Sequence, residues 1–414
     1  MSRMGNGPPI PPNGIYLQSW PPAICRRLFF IGKDTVAGIG EEYLQIVKGV
    51  SGVKSDITNR QIAFFLFLTL TTYTIINIPK IMAQQAGSGA WLPILLMAAV
   101  FSLFVVLITK LNNMFQGKML FDYSREIVGS FVSYIFLIYF IAYFLLIATY
   151  LNIELSTVLK AEFFPRTPKW ATLSAGVIVI GCIAYKGIRG VARFFEIIGP
   201  VFIFTSISVH LIMISQGNVS DILPLFRASE TPRYLLAAKD TILPYLGVEV
   251  LTIIPFSKSN GKKSVRTAFF TLLFIGFYYV LIVETSIMML GIHDIQNYNY
   301  ALIEAIRLVN NPVLERFDIL YLTVGFAGLI AGICAVFLAL TEYACKLFSK
   351  MSRKAVVVML TVLVIVSGII GISLKNAQFI FESVIPAAGL FTAFIIPALL
   401  FVTAKVRKLG QKAR

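Results

Sequence analysis

Residues 241–256 read TILPYLGVEVLTIIPF, from Thr241 to Phe256. Glu249 is its one charged residue, so the stretch is too apolar for a surface loop, while Pro244, Gly247 and Pro255 make it a poor continuous helix. Its length barely suffices to cross a hydrocarbon core about 30 Å thick at about 1.5 Å per residue. Two forms fit. One is a proline-kinked span; the other breaks near the bilayer midplane and turns main-chain polar groups toward a cavity, where irregular backbone is tolerated.

The rest of the chain supplies the membrane. Of 414 residues, 57% are hydrophobic and 14% charged, which leaves too little polar surface to coat a soluble globule of this size. Ten apolar runs read as spanning helices 1 to 10: Gln61–Ile78, Trp91–Thr109, Phe131–Ile153, Trp170–Tyr185, Ile197–Ile214, Thr241–Phe256, Ala268–Leu290, Ile319–Thr341, Ala355–Leu374 and Val384–Val402. Segments of about ten residues with alternating polarity, the mark of an outer-membrane barrel, are absent. The stretch quoted first is helix 6.

A net charge of +16 would point to nucleic acid in a soluble protein, but here the placement of the charges matters more than their sum. Of 36 basic residues, 26 fall before helix 1, after helix 10 and in alternate loops. Lys258, Lys262, Lys263 and Arg266 form one cluster, and Lys346, Lys350, Arg353 and Lys354 another. Positive-inside bias therefore puts both termini in the cytoplasm and argues against a nucleic-acid partner. Three parts result: a cytoplasmic tail over residues 1–59, a ten-helix domain over 60–404, and a basic cytoplasmic tail over 405–414. The first 55 residues, with Pro8, Pro9, Pro11, Pro12, Pro21 and Pro22, hold no run long enough for a secretory signal. Trp20 to Phe30 is a candidate for contact with the membrane surface.

Enzyme chemistry has no footing in the sequence. A phosphate loop, a nucleophile elbow and an HExxH zinc motif are all missing, and the histidines are only His210 and His293. We read His210, in helix 5, as a structural hydrogen-bonding partner of a neighbouring helix. Cys25, Cys182, Cys334 and Cys345 form neither a CxxC nor a His/Cys cluster, so no metal or other cofactor is expected. Cys334 and Cys345 lie about 16 Å apart along one helix, beyond disulfide reach.

Five helices followed by five set the second half upside down relative to the first. In inverted repeats of this kind, a pair of short or Gly/Pro-interrupted helices at matching positions marks the binding site of secondary transporters. Helix 1 matches helix 6: it carries Thr71, Thr72, Tyr73 and Thr74 at membrane depth and runs into Asn77, Ile78 and Pro79.

Several stretches, in this order and spacing, carry a family resemblance: QGKMLFDYSREIVG (Gln116–Gly129), YKGIRGVARFFEIIGP (Tyr185–Pro200), DILP (Asp221–Pro224), LPYLGVE (Leu243–Glu249) and PVLERFD (Pro312–Asp318). The chain resembles the B-type permease subunits of bacterial spore nutrient-germinant receptors, within the amino acid/polyamine/organocation transporter superfamily. The resemblance implies an all-α integral membrane fold of ten transmembrane helices in a LeuT-like 5+5 inverted repeat with helices 1 and 6 broken. It also implies the inner membrane of a spore, an A subunit and a lipoprotein C subunit as partners, and an L-amino acid as ligand. The chain departs from the family in one place: the glycine expected at the helix 1 break aligns with Thr72.

A free amino acid needs donors for its carboxylate, acceptors for its ammonium and a side-chain pocket. No Lys or Arg lies deep in helices 1, 3 or 8, so the carboxylate is expected at backbone N–H groups of the outer half of helix 1, near Thr72, Tyr73, Thr74 and Ile75. The ammonium is expected at unwound carbonyls around Tyr245, Leu246 and Gly247. Tyr143, Ile147, Leu246, Thr323 and Phe326 stand at suitable depth to shape the pocket, although ordinary helix packing explains each of them as well.

Acidic residues in apolar helices demand a reason. An i,i+4 pair with Lys346 accounts for Glu342, while Glu154 and Glu284 sit toward outer helix ends. Glu249, near the midplane, either accepts hydrogen bonds from broken-helix backbone or responds to ligand. Asn299–Val309 reads as an amphipathic helix, an outer lid or an inert interfacial segment. Helix 8 reads GFAGLIAGICAVF at mid-depth, where Thr323 is the nearest hydroxyl, and helix 5 lacks a buried lysine. Ligand sensing is therefore favoured over ion-coupled amino-acid uptake, with ion or water conduction and a purely structural subunit as the other readings.

Overall fold

The computed structural model describes residues 57–72, 75–257, 259–309, 317–374 and 377–409, and among them every regular element is helical. The N-terminal tail, its Trp20–Phe30 segment, Tyr73, Thr74, Lys258 and the end of the basic tail lie outside the described residues.

Among the described residues, seven helices are long and apolar enough to cross a membrane as they stand. They are helix 2 (Trp91–Met114), helix 3 (Ser130–Glu162), helix 5 (Gly187–Gln216), helix 7 (Gly261–Leu290), helix 8 (Phe317–Leu347), helix 9 (Arg353–Ser373) and helix 10, which runs Ala377–Leu390, Phe391–Ile395 and Ile396–Val406 with a π turn in the middle. Helix 4 (Lys169–Tyr185) has 17 residues. Large apolar side chains such as Leu103, Phe131, Ile197 and Phe204 stand exposed on the outside of the bundle, a surface suited to lipid.

Several helices outrun their apolar runs. Helix 3 was expected to end at Ile153 and continues to Glu162, because Glu154, Leu155, Lys160 and Glu162 are sound helix formers and the first proline comes at Pro165. Helix 5 starts ten residues early at Gly187, and its added turns carry Glu196, which accepts from Arg60 Nε at 3.0 Å and Gln61 Nε2 at 2.9 Å. That pairing fixes the start of helix 1 against helix 5.

Helices 1 and 6 are interrupted. Helix 1 runs Asn59–Leu70 behind a capping box in which Thr58 and Gln61 satisfy each other's backbone N–H groups. It then turns and restarts as Ile78–Gln85, with Pro79 in the first turn, where proline's missing N–H costs nothing. The expected end at Ile78 is thus the start of the second half, whose Lys80, Gln84 and Gln85 hide it from a hydropathy reading. Helix 6 begins with Thr231–Ala237, tightens to a 3-10 turn at Ala238–Thr241, completes one α turn at Ile242–Tyr245, breaks, and resumes as a 3-10 helix at Val248–Ile253. The break is sharp because Gly247 takes φ of +117°, a conformation that only glycine adopts readily; a Cβ there would also stand 3.0 Å from Thr69 Cγ2.

Candidate functional site

The two breaks meet. Tyr279 of helix 7, fully buried, directs its hydroxyl at Leu70 O (2.8 Å) and Pro244 O (2.9 Å), one carbonyl in the last turn before each break. Glu249, also fully buried, accepts the Gly247 N–H on Oε2 at 2.8 Å and the Tyr143 hydroxyl on Oε1 at 2.5 Å. Beyond it, Thr252 Oγ1 donates to Glu249 O at 2.6 Å and accepts from Tyr343, while Asn112 Nδ2 donates to Leu251 O at 2.8 Å and takes the Tyr123 hydroxyl on Oδ1. Side chains of helices 2 and 7 thus take up backbone carbonyls that the interrupted helices release, Glu249 takes up the Gly247 N–H, and Tyr143 and Tyr343 of helices 3 and 8 hold the Glu249 and Thr252 side chains in place, as an apolar interior requires.

Helix 8 approaches the first break without a gap. Thr72 Oγ1 donates to Leu68 O at 2.7 Å, and a Cβ placed on Gly332 would fall 1.4 Å from that Thr72 oxygen and 2.4 Å from Leu68 O. The glycine expected at position 72 is therefore met by one on the facing helix, which allows the same close approach. At the second break a Cβ on Gly389 of helix 10 would collide with Leu246 Cδ1 at 2.5 Å.

Space opens one step along helix 3 toward Glu162. A cavity of about 40 Å³ is lined by Thr72, Ile75, Ile76 and Asn77 of helix 1, by Tyr150, Leu151, Glu154, Leu155 and Val158 of helix 3, and by Leu329 and Ile333 of helix 8. A second, about 30 Å³ and almost wholly apolar, shares Ile75, Ile76 and Leu329 and adds Phe326, Tyr321, Leu302 and Ile303. Asn77 Oδ1 is a buried acceptor with no hydrogen-bond partner among the described residues. With the Glu154 carboxylate and the Thr72 hydroxyl, it gives an apolar chamber a small group of acceptors.

The segment expected over Asn299–Val309 is a helix at Ala301–Arg307, which lines the second cavity with Leu302 and Ile303. Its Leu302 N–H donates to Ile76 O at 3.4 Å, and Arg307 pairs with Glu304 and with Glu162 at the end of helix 3. Tyr300 caps it, and its phenol is pushed up to about 12 by burial first and then by the Glu154 and Glu162 carboxylates. The apolar face is buried: Leu302, Ile303, Ala305 and Ile306 are all inside.

The residues singled out from sequence divide by depth. Thr72 and Phe326 line the two cavities. Tyr143, Ile147, Tyr245, Leu246, Gly247 and Glu249 are brought together but packed solid beneath them. Thr323 is exposed and donates to Ile319 O within its own helix. Ile75, expected beside the ligand carboxylate, lines both cavities, whereas sequence reasoning missed Asn77, Tyr150, Leu151, Leu155 and Val158 as lining residues. The signal was present: Tyr143 and Ile147 begin a stripe that Tyr150, Leu151, Glu154, Leu155 and Val158 continue at helical spacing. Tyr150 lies about 10 Å beyond Tyr143 along the axis.

Two further readings meet the structure. His210 bonds Thr285 of helix 7, Nδ1 to Oγ1 at 2.8 Å, the structural role expected of it. Glu342 does not pair with Lys346. It takes Arg353 at 2.8 Å, while Lys346 reaches Asp122 at 2.7 Å; both bridges join separate helices, which sequence spacing along one helix does not reveal.

The sequence signature of the spore germination protein family matches residues 56–380. Spore germination protein YndE of Bacillus subtilis (strain 168) is 23% identical over 362 residues, covering 86% of this chain and 99% of that protein. Spore germination protein B2 of the same organism is 22% identical over 268 residues, 64% of this chain and 72% of that one. Among solved structures, MhsT in complex with L-phenylalanine superposes with a TM-score of 0.58 at 13% identity, over 83% of this chain and 98% of that one. Mhp1, a nucleobase-cation-symport-1 family transporter in a closed conformation, gives 0.54 at 11% identity, over 85% and 93%. These likenesses establish a LeuT-like transporter fold for an integral membrane protein, and by sequence the chain belongs to the spore germination protein family.

Proposed function

We propose that this chain is the B-type subunit of a spore nutrient-germinant receptor, which binds a small nutrient, first of all an L-amino acid, between helices 1, 3 and 8 and signals its presence. The observation that carries the reading is Asn77 Oδ1, a buried acceptor without a hydrogen-bond partner among the described residues, in a chamber that also holds Glu154 and Thr72. A buried acceptor left unsatisfied costs about 1–3 kcal/mol, and a ligand ammonium removes that cost. The ligand carboxylate meets backbone N–H groups between the two halves of helix 1, from Thr72 and Ile75 to the first turn at Ile78, where no side chain caps the second half at Asn77. Tyr143, Ile147, Tyr245, Leu246, Gly247 and Glu249 form the floor that holds the two breaks together. Phe326 and the helix Ala301–Arg307 form the roof.

A chamber of about 40 Å³ has room for a few waters and for no amino acid, so binding requires the roof helix to move. That movement is the signal on this reading. Ten spans, both termini in the cytoplasm, the spore inner membrane, an A subunit and a lipoprotein C subunit belong to the same proposal. Relatives named as spore germination proteins A2, B2, KB and GerQB support it.

Coupled uptake is the second reading, favoured by the fold, since the superposed structures include transporters. Proteoliposomes separate the two. Binding of a labelled amino acid without accumulation upholds the receptor, and accumulation driven by a sodium or proton gradient overturns it.

A further inference from the structure

Helices 4 and 9 run antiparallel and leave a long groove on the outside of the bundle. Its volume is about 530 Å³, far larger than either chamber at the helix 1 break. Ile178, Gly181, Cys182 and Tyr185 form one wall at spacings of three and four residues; Val357, Val358, Thr361 and Val362 form the other. The floor is tight, because a Cβ on Gly181 would stand 2.7 Å from Thr361 Oγ1. The walls are open: Ile178, Tyr185, Val358 and Val362 are each about half exposed. Among the described residues nothing covers them.

One end of this apolar groove is charged. Lys186, one residue past helix 4, and Lys354, in the first turn of helix 9, complete the lining, which contains no acid. Neither lysine makes an ion pair or hydrogen bond among the described residues. The neighbouring Arg353 is already committed, bound to Glu342 at 2.8 Å and to the Ala184 and Tyr185 carbonyls that end helix 4. Two uncompensated ammonium groups thus stand at the mouth, beside Tyr185, whose ring has the amphipathic character of residues at headgroup depth. Two other grooves differ: the one between helices 1, 5 and 7 is lined with Arg266 as its lone charge, and the one between helices 3 and 10 has no charge at all.

We propose that this groove is a binding site for one anionic glycerophospholipid, with an acyl chain along Ile178, Val358 and Val362 and the phosphate between Lys186 and Lys354. The groove supplies the length and apolar walls that a chain requires. The lysines supply charge complementarity at the level where a headgroup lies, the pattern by which basic pockets between spanning helices select acidic lipids. A partner helix seated there would instead bury both ammonium groups, which its own acids would have to neutralise.

The test is native mass spectrometry of the full chain released from detergent after equilibration with equal amounts of phosphatidylglycerol and phosphatidylcholine. The expected result is one retained lipid, phosphatidylglycerol over phosphatidylcholine by about tenfold, falling to near parity in the Lys186→Gln, Lys354→Gln double variant. Cys182 gives a second readout in a Cys25→Ser, Cys345→Ser background, where the remaining Cys334 is buried. Its maleimide labelling should slow at least threefold in phosphatidylglycerol nanodiscs relative to phosphatidylcholine, and the slowing should vanish when both lysines are Gln. Equal retention of the two lipids, retained selectivity in the double variant, or the same protection of Cys182 by soluble glycerol phosphate would overturn the proposal; the first of these would leave the groove to a partner helix.

Discussion

Tyr143 of helix 3 donates its hydroxyl to Glu249 Oε1 at 2.5 Å, and through that carboxylate it holds the broken end of helix 6 at Gly247. Tyr143→Phe leaves Glu249 Oε1 without that donor, a loss of roughly 1–3 kcal/mol. Glu249→Leu removes the acceptor of both the Gly247 N–H and the Tyr143 hydroxyl and should cost more, about 2–6 kcal/mol. Glu249→Gln retains an acceptor for Gly247 and should fall below both. Unfolding midpoints in detergent give the order directly; Glu249→Leu as stable as Tyr143→Phe would remove Glu249 from its role at the break.

Gly332 and Thr72 share a space that holds one side chain. Gly332→Ala should destabilise by roughly 1–3 kcal/mol through overpacking. Adding Thr72→Gly removes the Oγ1 and Cβ clashes but not the one with Leu68 O, so it should restore part of the loss and no more. A double variant as unstable as the sum of two single losses would show that the two residues are not in contact.

Filling the chamber should separate binding from stability. Ile333→Phe and Leu329→Phe place bulk into the space between helices 1, 3 and 8, with stability changes of about 1–3 kcal/mol. Both should abolish the response to ligand in folded protein. Asn77→Ala should weaken ligand affinity by about tenfold without changing the fold, since its Oδ1 has no hydrogen-bond partner to lose among the described residues.

Arg307 ties the roof helix to Glu162 at the end of helix 3. Arg307→Gln should speed both association and release of ligand by a similar factor, leaving the dissociation constant nearly unchanged, as expected of a gate. Stopped-flow measurement of both rates checks it.

The architecture was largely legible because the bilayer imposes a length and a polarity on every span. Pro244, Gly247 and Glu249 announced the break in helix 6, and Thr71 to Pro79 the break in helix 1. The parts that were not legible depend on which helices face each other. Gly332 is one of several glycines in helix 8, and only its position against Thr72 explains it. Glu342 and Lys346 sit one turn apart, yet Arg353 and Asp122 compete successfully for them from other helices. The cavity between helices 1, 3 and 8 opens about two turns further along helix 3 than Tyr143 and Ile147, a depth that an apolar run ending at Ile153 does not reveal, because the helix itself runs on to Glu162.

The two ion pairs can be tested by additivity. Glu342→Gln and Lys346→Met should each cost about 0.2–1 kcal/mol. Because they break separate bridges, their effects should add to within about 0.5 kcal/mol, whereas residues of a single i,i+4 pair would couple.

The central claim is a ligand site between helices 1, 3 and 8, and its most direct test is the melting temperature of the purified chain across a panel of L- and D-amino acids. A ligand that binds only the folded state at a hundred times its dissociation constant adds about 2.7 kcal/mol. A stereospecific rise of several degrees is expected for one or a few L-amino acids, absent from folded Ile333→Phe protein. A rise that persists unchanged in Ile333→Phe, or the same rise with both enantiomers, would contradict the claim.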